Sequence, residues 1–165
     1  MSALTTLGAL HTAIALIAIG SGLAALLVYK EVSPASKPGL LYIFTTAITA
    51  ASGLGIFQHG GFGPPHVLSI LTLLALATGM VAATTTLFGK YSRLLEVVSF
   101  SSTLLFHLIP GFTESLTRLP VGAPLLASAE APEFKVIYGV IFLLFGLGLA
   151  LQLRWLRAQA LAQPG

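Results

Sequence analysis

Four histidines are the residues of this chain best suited to chemistry. His11, His59, His66 and His107 lie in or beside long apolar segments, where an ionisable side chain is costly and needs a reason. Imidazole is the commonest neutral metal ligand and suits zinc, copper, iron and haem iron. In helix bundles such ligands come from facing helices. Four histidines on four helices at one level would have that geometry, so all four are candidate ligands of a transition metal (copper or zinc) or of haem b. Glu114 and Arg118 extend the candidate cofactor site. Glu114 lies seven residues after His107, which puts both on one helical face if the helix survives Pro110-Gly111. Glu114 and Arg118 are four apart and can pair on a short interfacial helix. Arg118 is alternatively suited to a haem propionate, because guanidinium binds carboxylate bidentately. Glu114 is suited to ligation, to orienting an imidazole, or to accepting a proton.

Other chemistry is excluded by residue type. The chain has no cysteine, hence no disulfide and no thiolate ligand, and it has no aspartate. No His-Glu-x-x-His or Gly-x-Ser-x-Gly pattern occurs. The Gly60-Gly61-Phe62-Gly63-Pro64-Pro65 stretch reads as a tight connection, because no strand–loop–helix unit surrounds it to make a phosphate cradle. The basic residues are scattered singly, whereas a nucleic-acid patch clusters them; no nucleic-acid partner is expected.

The elements that must position the histidines follow from composition. Hydrophobic residues make up 56% of the 165-residue chain and charged residues 8%, against roughly 25% charged in a soluble domain. So few charges cannot coat a water-facing globule, and an all-α integral membrane protein is expected, one domain over 1–165. Spanning about 30 Å of hydrocarbon takes roughly 20 apolar residues per helix. Five such runs are legible, near Leu4–Tyr29, Gly39–Phe57, His66–Phe88, Leu94–Phe112 and Val136–Leu153. Backbone polar groups in lipid must be paired within the segment, so the runs are helices. No basic residue precedes Leu4, so the first run reads as a retained span and not a cleaved signal. Glycines in Ala51-Ser52-Gly53-x-Gly55 and at Gly139, Gly146 and Gly148 are expected to let helices approach closely. Thr45, Thr46, Thr49, Thr84, Thr85 and Thr86 read as helix–helix hydrogen-bonders rather than a transport path.

Orientation follows from the bases. With five spans, one face carries Lys30, Lys37, Lys90, Arg93, Arg154 and Arg157, six of the eight, and the other only Arg118 and Lys135. The expected topology puts the N-terminus outside and the C-terminus in the cytoplasm, in a multi-pass protein of the cell inner membrane. All four histidines then fall toward the outer face, with His11 and His107 on the order of 10 Å beneath it.

The His59–His66 stretch, continuing Val67-Leu68-Ser69-Ile70-Leu71-Thr72-Leu73, resembles bacterial membrane proteins of unknown function that place Gly-x-x-His-x-x-Ser at the start of a span. Phe106-His107-Leu108-Ile109-Pro110-Gly111-Phe112-Thr113-Glu114, continuing to Arg118-Leu119-Pro120, also looks like a signature of such a family. The resemblance covers about the middle third of the chain and implies a small multi-span inner-membrane protein. A weaker similarity is to b-type cytochromes, which hold haem between histidines on neighbouring helices. This chain departs from the two-haem form, because its histidines lie toward one face.

The expected function is therefore binding of a metal or b-type haem near the outer membrane face, in the service of electron transfer. Membrane lipids are the expected surroundings, with membrane proteins or further copies of the chain as partners. The plainer reading of each histidine stands beside this one. His59 and His66 are easily solvated near an interface, and His11 and His107 can be satisfied by structural hydrogen bonds. The alternative function is a structural or accessory subunit of a larger membrane complex, without a cofactor of its own.

Overall fold

A computed structural model describes residues 5–57 and 61–162, and these contain helices and no strands. The helices are α1 (Thr6–Tyr29), α2 (Lys37–Gly53), α3 (Pro64–Thr84), α4 (Ser92–Arg118, preceded by a 3₁₀ turn at Gly89–Tyr91) and α5 (Glu133–Ala162). The chain divides into two compact units, Met1–Leu104 and Leu105–Gly165, so α4 contributes to both.

Each helix begins where local chemistry allows. The Thr5 hydroxyl accepts from the Gly8 amide at 3.1 Å, and the Ser36 hydroxyl from the Gly39 amide at 3.1 Å, which satisfies donors that the first turn leaves unpaired. Pro38 and the Pro64-Pro65 pair sit in first turns, where a missing N–H costs nothing. α1 ends as Lys30 turns left-handed (φ 62°) and returns its N–H to Leu26 O.

Four helical segments, Thr6–Tyr29, Pro64–Thr84, Gly89–Arg118 and Glu133–Ala162, are long and apolar enough to cross a membrane. α2 differs from its expected span. It starts at Lys37 and stops at Gly53, 17 residues in all, or about 26 Å of rise. The Leu54-Gly55 turn ends it before Phe57. α4 runs through Pro110 to Arg118. The proline removes one donor and leaves the helix continuous, so no separate short helix carries Glu114 and Arg118.

The first unit has hydroxyl-bearing side chains within its apolar core and large apolar side chains on its outside. Tyr42, Thr46 and Thr103 are fully buried, while Leu16, Leu23, Leu27 and Phe44 are more than half exposed. Polar groups inside and large apolar groups outside suit a hydrocarbon solvent. α1 packs on α2, and α2 on α3. The first half of α4 closes this unit through Phe100, which meets Gly79 of α3, and through Thr103, which meets Tyr42 of α2. A Cβ on Gly79 would lie 2.8 Å from the Phe100 ring, so the close approach requires glycine there.

Two expectations about packing are corrected. Gly139, Gly146 and Gly148 have nothing within contact distance of a built Cβ, so they mediate no helix approach among the described residues. Thr45, Thr49, Thr84 and Thr85 donate back to carbonyls of their own helices, those of Leu41, Thr45, Met80 and Val81. A hydroxyl can satisfy its donor locally on a helix without any partner, so threonine content alone does not locate an interface.

Candidate functional site

The first unit has two polar ends. One is built by the start of α1, the end of α2 and the start of α3. The other lies where the α1–α2 loop meets the start of α4. His11 to Tyr29 on α1 is about 27 Å of rise, and the helix between them carries no charged residue.

At the first end, His11 Nδ1 lies 3.0 Å from Ser52 Oγ. The Ser52 hydroxyl donates its only proton to Thr49 O at 2.9 Å. With that proton on Thr49 O, Ser52 accepts from His11, and a neutral ring then carries its proton on Nδ1 and its lone pair on Nε2. This is the arrangement of a metal-binding histidine, whose second nitrogen is tied to an outer partner that fixes its tautomer. Gly53 makes room for it. A Cβ there would lie 3.3 Å from His11 Cε1 and 2.7 Å from Ser69 Oγ, so α1, α2 and α3 converge on this glycine.

His66 is held differently. It is the third residue of α3, and its Nδ1 accepts from the Gly63 amide at 3.2 Å. Glycine has no side chain to reciprocate, so this is half of a capping box. A nitrogen that accepts is unprotonated, which places the His66 proton on Nε2. The ring is 4% exposed. Phe57 and Phe62 flank it, with centroids 4.6 Å and 5.3 Å away. Nε2 is buried and has no hydrogen-bond partner among the described residues. Metal ligation through Nε2 would require the proton to leave and the cap to break.

The other candidates are placed as follows. His59 lies outside the described residues. His107 is buried in α4, in the second unit. Because α4 is continuous, Glu114 shares its side of the helix, but seven residues are about 10 Å of rise, too far for a direct hydrogen bond within the helix. Glu114 pairs with Arg118 one turn on, as their spacing predicts. Among the described residues, no three histidine or glutamate side chains form a group that could hold a metal ion.

The second end holds charges that the sequence does not bring together. Arg93 donates to Glu96 at 2.8 Å and pairs with Glu31, while Ser33 donates to Glu96 at 3.1 Å. Glu96 is 7% exposed. The spacing of three between Arg93 and Glu96 signals their pairing; Glu31 and Ser33, more than sixty residues away, carry no local signal. Ser52 is missed for the same reason.

No family model, curated protein or solved structure matches the chain.

Proposed function

We propose that this chain is a multi-pass protein of a bacterial inner membrane that binds a transition metal or haem b through histidine near the outer face and passes electrons through it. Five helices cross, with α2 as the shortest, and the N-terminus lies outside. The observation that carries the reading is the His11–Ser52–Thr49 chain of contacts, which suits a half-buried imidazole to the tautomer that ligation by Nε2 requires. His59 and His107 remain candidate ligands in their own right. His66 stays in the set only if its cap yields. Arg118 is already engaged by Glu114, so a propionate would have to compete for it.

The optical spectrum and metal content of purified protein never exposed to chelator test the reading. A Soret band with a split reduced α region supports haem, and stoichiometric copper or zinc supports a metal. His11→Ala should lose either. Protein with neither cofactor refutes the proposal. Because the chain lacks cysteine, single substitutions report sidedness cleanly: Ala127→Cys should react with an impermeant maleimide from outside, and Ala35→Cys and Ala158→Cys only after lysis.

A second reading, an accessory subunit, is favoured by α5. Leu143, Leu144, Leu147 and Leu151 are more than half exposed, and the glycines beside them are open. Constant co-purifying partners, with all four histidines dispensable, would support it.

A further inference from the structure

We propose that His66 is a hydrogen-bond donor to the carbonyl of an uncharged, lipophilic ligand, a quinone being the fitting class, at the end of the first unit where α3 begins. The site is independent of any metal or haem.

Three observations converge. The Gly63 amide occupies Nδ1, so the neutral ring carries its proton on Nε2. Among the described residues that N–H is buried without an acceptor, a state that costs the fold free energy an incoming acceptor would return. Its setting is aromatic and open to the outside: Phe57 and Phe62 flank the imidazole and are themselves 58% and 66% exposed. A ligand that displaced the Phe62 ring would meet phenyl faces on which a planar ring can stack.

The chemistry of the ligand follows from what surrounds the donor. A single neutral N–H calls for a neutral acceptor. Among the described residues the ring's contacts are Phe57, Phe62 and the Gly63 amide, and none of these is a cation that would favour an anion. The setting is the start of a helix apolar enough to cross a membrane, which selects a molecule that partitions into lipid. A carbonyl in that setting comes from a quinone or from the ester of a phospholipid. The two flanking rings favour the planar quinone.

The test uses the full-length protein with isotope-labelled histidine, in nanodiscs of diester or diether phosphatidylcholine. Nitrogen shifts identify the tautomer of His66. The expected result is an Nε2–H ring in both lipids, whose Nε2 resonance moves saturably on titration with decylubiquinone. His66→Asn should preserve the cap, because its Oδ1 replaces Nδ1, and should weaken quinone binding roughly tenfold. A resonance that differs between diester and diether lipid and ignores the quinone assigns the carbonyl to lipid. An Nδ1–H tautomer, or an Nε2 resonance indifferent to both, overturns the proposal; these wild-type readings decide it even if His66→Asn fails to fold.

Discussion

The Tyr42 hydroxyl is hydrogen-bonded to Thr103 Oγ1 at 2.6 Å, tying α2 to α4 in the fully buried centre of the first unit. Thr103 Oγ1 also lies 2.7 Å from Phe100 O. Tyr42→Phe removes the hydroxyl, with its hydrogen bonds to Thr103 and Thr46, and keeps the ring. Interhelical hydrogen bonds in membranes average about 0.6 kcal/mol, so the variant should lose no more than about 1 kcal/mol of stability. Tyr42→Ala also empties the ring's volume and should lose about 3–5 kcal/mol. Unfolding of the detergent-solubilised variants measures both. Equal losses would mean that the hydroxyl, and not packing, holds α2 to α4.

Gly79 and Phe100 give a second, steric prediction. A methyl group on Gly79 would meet Phe100 Cε1 and Cζ at 2.8 and 2.9 Å, and Phe100 is fully buried. Neither backbone nor ring can yield cheaply, so Gly79→Ala should cost about 1–3 kcal/mol. Phe100→Leu in the same chain should recover part of that loss, because it removes the colliding atoms. A double variant less stable than Gly79→Ala alone would show that the contact is not the cause.

The elements were legible because lipid leaves few choices: long apolar runs bounded by Pro38, Pro64-Pro65 and the lysines could only be helices. Their ends were less so. α4 continues through Pro110-Gly111 because one lost hydrogen bond does not outweigh the packing of its two flanks. α5 reaches Ala162 because its polar last turns stay helical beyond the apolar run. Within the candidate site, the histidines and the Glu114–Arg118 pair could be read from residue type and spacing. The roles of His11 and His66 could not. They depend on which ring nitrogen meets Ser52 or the Gly63 amide, and the first of these partners is brought by tertiary packing alone.

The Arg93 cluster makes a prediction about buried charge. Arg93→Ala leaves Glu96 buried, with the Ser33 hydroxyl as its remaining partner. Uncompensated buried charge is costly, up to about 3–5 kcal/mol where water is fully excluded. The Arg93 side chain is 49% exposed, so water softens the loss to roughly 1–3 kcal/mol. Glu96→Gln added to Arg93→Ala should restore stability, since a neutral amide needs no cation. No restoration would show that Arg93 acts through packing of its stem.

Ser52→Ala separates the tautomer of His11 from its presence. The substitution removes the acceptor of the Nδ1 proton and leaves the imidazole in place. Thr49 O loses only one of its donors, so the helix should persist with a stability change of about 1 kcal/mol or less. Without Ser52 the Nδ1 proton loses this acceptor, and nitrogen shifts of His11 should report a larger share of Nε2–H than in the native chain. If His11 binds metal or haem through Nε2, affinity should fall about 10–100-fold, the usual effect of losing an orienting partner. Ser52→Thr keeps a hydroxyl and should retain most of both properties. Cofactor retained at native affinity in Ser52→Ala, with His11 still fixed as Nδ1–H, would show that something other than Ser52 sets the ring, and would detach this chain of contacts from binding.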